Sequence, residues 1–161
     1  MTLFTAFAVF LRRISGQEEL VIGSPVANRN HGATEDLIGL FVNLVLLRVR
    51  VTGTYADLLG QVRQTCLEAF EHQDLPFEKL VQALQPARTP DRHPLTQVLF
   101  ALQGFRLQGP SLPGVQADGP EFLMRTVKCD LECHVYETAD GLTGHLVYNR
   151  DLFLPATIRS L

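Results

Sequence analysis

The stretch that most restricts this chain is residues 38 to 51. Leu40, Phe41, Val42, Leu44, Val45 and Leu46 run almost without interruption, and then Arg48 and Arg50 alternate with Val49 and Val51. A segment apolar on successive residues reads as a strand covered on both sides, and one that alternates reads as a strand with one wet face. The spacing therefore predicts a long strand over 38–51, covered on both faces at its start. Its hydrophobic content of 46%, with 19% charged, supplies enough apolar material for such a core in 161 residues, and argues against a disordered chain.

Helical and strand periodicities alternate along the rest. Leu3, Phe7, Phe10, Leu11 and Ile14 mark a buried helix over 2–14, with Gly16 as its left-handed stop. The apolar start has Arg12 and Arg13 after it rather than before it, and is far shorter than the roughly 20 residues that span a bilayer. A secretory leader and a membrane span are therefore not expected, and the cytoplasm is the default compartment. Leu20 to Gly23 reads as a short strand, with Pro25 in the following loop blocking further pairing.

Thr54 opens the strongest helix, to about Gln73, with Asp57 completing a capping box and Leu58, Val62, Cys66 and Ala69 on its buried stripe. Asp74, Leu75 and Pro76 open a second helix, with Phe77, Leu80, Val81 and Leu84 buried and Pro86 at its end. Gln97 to Gln103 reads as a buried strand, and residues 104–120 as a glycine- and proline-rich loop. Val127, Cys129, Leu131, Cys133 and Val135 alternate with Lys128, Asp130, Glu132, His134 and Tyr136, a near-perfect period-two strand. Ala139-Asp140-Gly141 turns it back into a partner strand over Leu142–Asn149, and a last helix begins near Pro155. Alternating helices and strands imply an α/β (α+β sandwich) class with a mixed sheet flanked by helices.

Chemistry-bearing clusters are few. Cys129 and Cys133, four apart on a strand, would lie about 13 Å apart at ~3.3 Å per residue, too far for one zinc or for a disulfide. They read as small core hydrophobes, and Cys66 as another on its helix stripe. No metal site is expected. A net charge of −3 with no basic stretch gives no nucleic-acid footprint. Three polar islands stand out. Asn43 interrupts an apolar strand, so its amide either fixes a neighbouring loop or lines an internal passage. His72 to Glu78 reads as a helix–helix corner in which Asp74 caps the next helix. Arg88 to Leu95 reads as a charged loop leading into a strand.

Taken in order, these islands resemble motifs of a known family. Ile38-Gly39-Leu40-Phe41-Val42-Asn43, with Arg48 after it, is similar to the fifth core motif of nonribosomal peptide synthetase condensation domains. His72-Gln73-Asp74-Leu75-Pro76-Phe77-Glu78 resembles the sixth and Arg88 through Leu95 the seventh. The resemblance implies a chloramphenicol-acetyltransferase-like lobe. Two such lobes would face each other across a tunnel entered by the phosphopantetheine arms of two peptidyl carrier proteins, whose thioester-bound substrates are joined by an amide bond. It also implies an adenylation domain in the same synthetase, a route to peptide antibiotics and other secondary metabolites.

The family's two adjacent histidines lie in the other, N-terminal lobe, and this sequence has no His-His pair. Residues 1–161 are therefore expected to be the C-terminal subdomain. No catalytic residue and no directly bound cofactor carries over, and by itself the chain is expected to be inactive. Asn43 and Phe41 would stand beside the tunnel, Asn28 and Arg29 near the contact between lobes, and Gln73 and Asp74 in the sixth motif. A separately encoded half of a split condensation or epimerisation enzyme, or a non-catalytic module that binds carrier proteins, would leave the same sequence.

Overall fold

The computed structural model describes residues 1–87, 92–103, 126–138 and 141–161. Helix α1 (Thr2–Ser15) leads into β1 (Glu19–Val26), a short 3₁₀ turn (Gly32–Thr34) and β2 (Asn43–Arg50). Helices α2 (Tyr55–Glu71) and α3 (Phe77–Leu84) follow, then β3 (Val98–Gln103), the hairpin β4 (Leu131–Thr138) and β5 (Gly141–Tyr148), and α4 (Pro155–Ser160). The strands form one mixed sheet in the order β2-β1-β3-β4-β5. β1 pairs antiparallel with β2 and β4 with β5, while β3 runs parallel to both β1 and β4. This is the mixed sheet flanked by helices that the alternation of periodicities implies.

The core lies between one face of the sheet and helices α1 and α2. Phe4, Phe7, Ala8 and Leu11 of α1 and Leu58, Val62 and Cys66 of α2 meet Ile22, Val45, Leu47, Val49, Phe100 and Leu131. Phe100 anchors α1, with Phe4 set edge-on at 5.6 Å and Phe7 tilted at 5.3 Å. The buried face of α1 sits slightly off the expected one, because α1 must also meet α2; Phe4 and Ala8 are on it, while Ile14 is exposed. Gly16 closes α1 with φ 72°, and the Thr54–Asp57 capping box at α2 is present in full. Two buried threonines hold elements in place. The Thr5 hydroxyl donates to the Met1 carbonyl, and that of Thr96 sits 2.9 Å from the carbonyls of both Val21 and Val98, between β1 and β3.

Several expectations change. β1 continues through Pro25 to Val26 against β2, since the missing N–H matters only toward the other neighbour, where pairing is confined to Ile22 and Gly23. β2 begins at Asn43, not at residue 38. Ile38, Leu40 and Val42 are exposed, because no layer of the described residues covers them. α3 has no buried residue: Phe77, Leu80 and Val81 are half-buried and Leu84 is exposed, so its apolar face is only partly covered. Cys129 precedes β4 on a bend, so the strand-rise argument does not apply to it. It is nevertheless buried, and Cys133 packs on the core. Glu132 and His134, on the polar side of the period-two pattern, are buried; they contact each other, and Glu132 also takes the N–H groups of Lys128 and Cys129. Residues 88–91, residues 104–120 and the turn at Ala139-Asp140 lie outside the described residues. No described helix is long and apolar enough to cross a membrane.

Candidate functional site

Asn43 opens β2, and its side chain joins the sheet to the corner between α2 and α3. Its Nδ2 donates to the Gln73 and Leu75 carbonyls, both at 2.7 Å, and its Oδ1 accepts from the Phe77 N–H at 3.1 Å. Phe77 is the first residue of α3, whose early N–H groups have no partner within the helix. Pro76 at the cap position has no side chain to serve it, and the amide of Asn43 does so from another element. Of the two roles open to this amide, its hydrogen bonds serve the first: they fix a loop.

The residues around it take related parts. Asp74 does not cap α3; its Oδ1 accepts from Asn30 Nδ2 at 3.2 Å and so ties the corner to the loop after β1. Gln73 turns its side chain back to donate to the Phe70 carbonyl at 2.8 Å, closing the end of α2. Arg29 stacks over the Phe41 ring at 4.4 Å and donates to the carbonyls of Thr34, Glu35 and Gly39. The guanidinium thereby gathers the segment that leads into β2. Asn28 beside it has φ 53°, a left-handed conformation that asparagine tolerates better than most residues.

These residues border a cleft of about 470 Å³ on the sheet face opposite the core helices. Asn28, Phe41, Asn43 and Asp74 line it. Arg29 and Gln73 stand behind that wall rather than in it. Across the cleft are Glu132 and His134 of β4, which sequence reasoning missed, and His93, from the polar island Arg88 to Leu95. His134 Nε2 lies 3.1 Å from Glu132 Oε2, and both side chains are at least nine-tenths buried. Glu132 Oε1 accepts from the N–H groups of Lys128 at 2.6 Å and Cys129 at 3.3 Å. Burial pushes the Glu132 carboxyl up, but these hydrogen bonds, that from His134 foremost, outweigh it and hold it below its ordinary value. It therefore stands as a carboxylate, and the His134 nitrogen facing it carries the proton.

The ring of His134 stacks on His145 at 5.2 Å, and His145 on Tyr136 at 5.5 Å. Partial burial, aided by the neighbouring His134, holds the His145 imidazole below its ordinary value. The turn expected from Ala139-Asp140-Gly141 would set His134 opposite Leu146; the strands instead pair from Thr138 with Gly141, one residue shorter, which sets His134 opposite His145, so this imidazole pair was not readable from the hairpin. The burial of Glu132 was not either, since alternation alone does not report where in a sheet a strand lies. No thiol competes as a nucleophile here: burial pushes the Cys129 thiol up to about 12. Among the described residues no cluster of histidine, cysteine and carboxylate side chains is arranged to hold a metal ion. The arrangement can bind and orient a polar ligand.

The family model described as "Condensation domain" matches residues 1–161. The chain is 44% identical over its whole length to a linear gramicidin synthase of Brevibacillus parabrevis, and 44% identical over 98% of its length to a chondramide synthase of Chondromyces crocatus. It spans only 2% and 4% of those proteins. Among solved structures, the X-domain from teicoplanin biosynthesis superposes with TM-score 0.81 at 27% identity, over 97% of this chain and 37% of the other. A four-domain nonribosomal peptide synthetase superposes with TM-score 0.82 at 24% identity, over 98% of this chain and 13% of the other, a likeness of fold.

Proposed function

The chain belongs to the condensation-domain family, and from that premise we propose that it is the lobe that forms one wall of the tunnel in which two carrier-bound thioesters are joined by an amide bond. The acceptor amine attacks the donor thioester carbonyl, the C–N bond forms, and the donor's thiolate leaves on its phosphopantetheine arm. In this reading the chain supplies no acid, base or nucleophile; a partner lobe with the two adjacent histidines does. Its own residues shape and orient. Asn43 holds the α2–α3 corner against β2, Arg29 and Phe41 hold the lip, and Glu132 with His134 forms the polar floor.

The observation that carries this reading is the position of the cleft. It opens beside Ile38, Leu40 and Val42, an apolar rim exposed to 105%, 90% and 58%. A surface of that kind is suited to packing against a second body. The peptidyl carrier proteins, their arms and an adenylation domain enter as partners on the strength of the relatives' synthetase context.

The test is reconstitution with two loaded carrier proteins. The chain alone is expected to form no dipeptidyl thioester, and the chain joined to its histidine-bearing lobe is expected to form it. Activity of the chain alone overturns the division of labour. If the joined protein binds carriers yet forms no amide, the carrier-binding module is the correct reading.

A further inference from the structure

Three polar atoms around the cleft are buried and have no hydrogen-bond partner: Asn28 Oδ1, His93 Nδ1 and His134 Nδ1. All three can accept. An asparagine carbonyl oxygen only accepts. His134 donates its other nitrogen's proton to Glu132, so in the neutral ring its Nδ1 presents a lone pair. Two of the donors nearby are committed, since both protons of the Asn43 amide go to backbone carbonyls and Arg29 is engaged with three more. Buried acceptors left over on both walls of a cleft suit a group rich in N–H between them.

Charge points the same way. Asp74, Glu78 and Glu132 line the cleft against a single ammonium among its described lining residues, that of Lys128. Between the polar ends the walls are apolar, with Phe41, Leu44, Phe77 and Leu99. An alkyl stem with a cationic head fits this sequence of surfaces, its stem against the rings and its head among carboxylates and unpaired acceptors. The Phe77 ring lies 5.2 Å from that of His93, so aromatic wall and unpaired acceptor are adjacent.

We propose that the cleft is a specificity pocket for a basic acceptor, receiving the ammonium or guanidinium side chain of the residue whose amine is to be acylated. This rests on the tunnel-wall reading above, and its test separates the two. The chain is titrated by calorimetry and by ¹H–¹⁵N NMR with L-lysinamide and with L-norleucinamide, which differ by the side-chain ammonium. Lysinamide is expected to bind at least tenfold more tightly, to move the signals of His93 and His134, and to weaken as salt rises. Glu132→Gln keeps an oxygen for the Lys128 and Cys129 N–H groups, and Glu78→Gln changes only a side chain at the cleft's edge. Each is expected to weaken lysinamide by threefold or more and norleucinamide by less, so that the ratio between them narrows.

Equal affinities, or no binding of lysinamide, overturn the proposal. In the joined enzyme, lysyl- and leucyl-loaded acceptor carriers are then compared. At least a tenfold preference for lysyl in kcat/KM is expected. Equal rates overturn the specificity and leave the condensation reading standing. Binding of lysinamide with no condensation of either acceptor leaves the cation site standing and overturns the condensation reading.

Discussion

The side chain of Asn43 makes three hydrogen bonds to one corner, and none survives replacement by leucine. At roughly 1 kcal/mol net for each bond, Asn43→Leu is expected to cost about 3 kcal/mol, read as a lower urea midpoint with an unchanged slope. Asn43→Asp keeps the acceptor toward Phe77 but sets a carboxylate oxygen against the two carbonyls, so its loss is expected to be at least as large. Titration adds a second residue-scale expectation. The His145 imidazole has an ordinary value of 6.5 and is held below it when folded, so as pH falls through 6.5 the unfolded chain takes up its proton first and stability declines. Below 4.5 the depressed Glu132 carboxyl repeats this with the same sign. Urea midpoints are expected to be highest above pH 6.5 and to fall in two steps toward acid. His145→Gln removes the first step and Glu132→Gln the second.

Between elements, the closest approach of a glycine to another strand's backbone is in the β4–β5 ladder. A Cβ on Gly144 would stand 2.7 Å from the His134 carbonyl oxygen and 3.5 Å from the Val135 Cα, both backbone. Gly144→Ala is therefore expected to part the strands beneath the imidazole stack, lowering stability by about 1–3 kcal/mol and shifting the His134 and His145 ring signals. Gly60 on α2 has nothing within 4 Å of such a Cβ, and Gly60→Ala is expected to stabilise by roughly 0.5–1 kcal/mol. This hairpin also shows what a sequence discloses. Its alternation and turn gave the two strands, though with a register one residue off, and the Thr54–Asp57 spacing gave the start of α2, because both are local. The burial of Glu132 depends on the strands beside β4, and the cap of α3 comes from Asn43, 34 residues away. Asp74 was the obvious local candidate for that cap, and only the tertiary arrangement reassigns it. The candidate site was legible as to its wall of Asn28, Phe41, Asn43 and Asp74, and illegible as to its floor.

For the molecule as a whole, the segment from Leu37 to Val42 decides behaviour in solution. Hydropathy reads it as interior, yet Ile38 and Leu40 lie almost fully in solvent, since apolar sequence reports a need for cover without naming what supplies it. The chain alone is expected to self-associate as its concentration rises, by light scattering. Lysine at both positions is expected to suppress this with little change in melting temperature, since neither side chain contributes to the folded core. The same double substitution is expected to weaken assembly with the histidine-bearing lobe, measured by size-exclusion chromatography.

The Asn43 node has a consequence in time as well as in space. Its partners lie 30 to 34 residues along the chain, so the three bonds close only after β2 has found the sheet and α2 has docked on it. Contacts of that separation, made at an edge of the core, form after the rate-limiting step of folding in the simplest account. Asn43 then acts as a latch on the finished structure. Its removal quickens unfolding and leaves refolding nearly unaltered, and the lifetime of the closed corner rests on one amide.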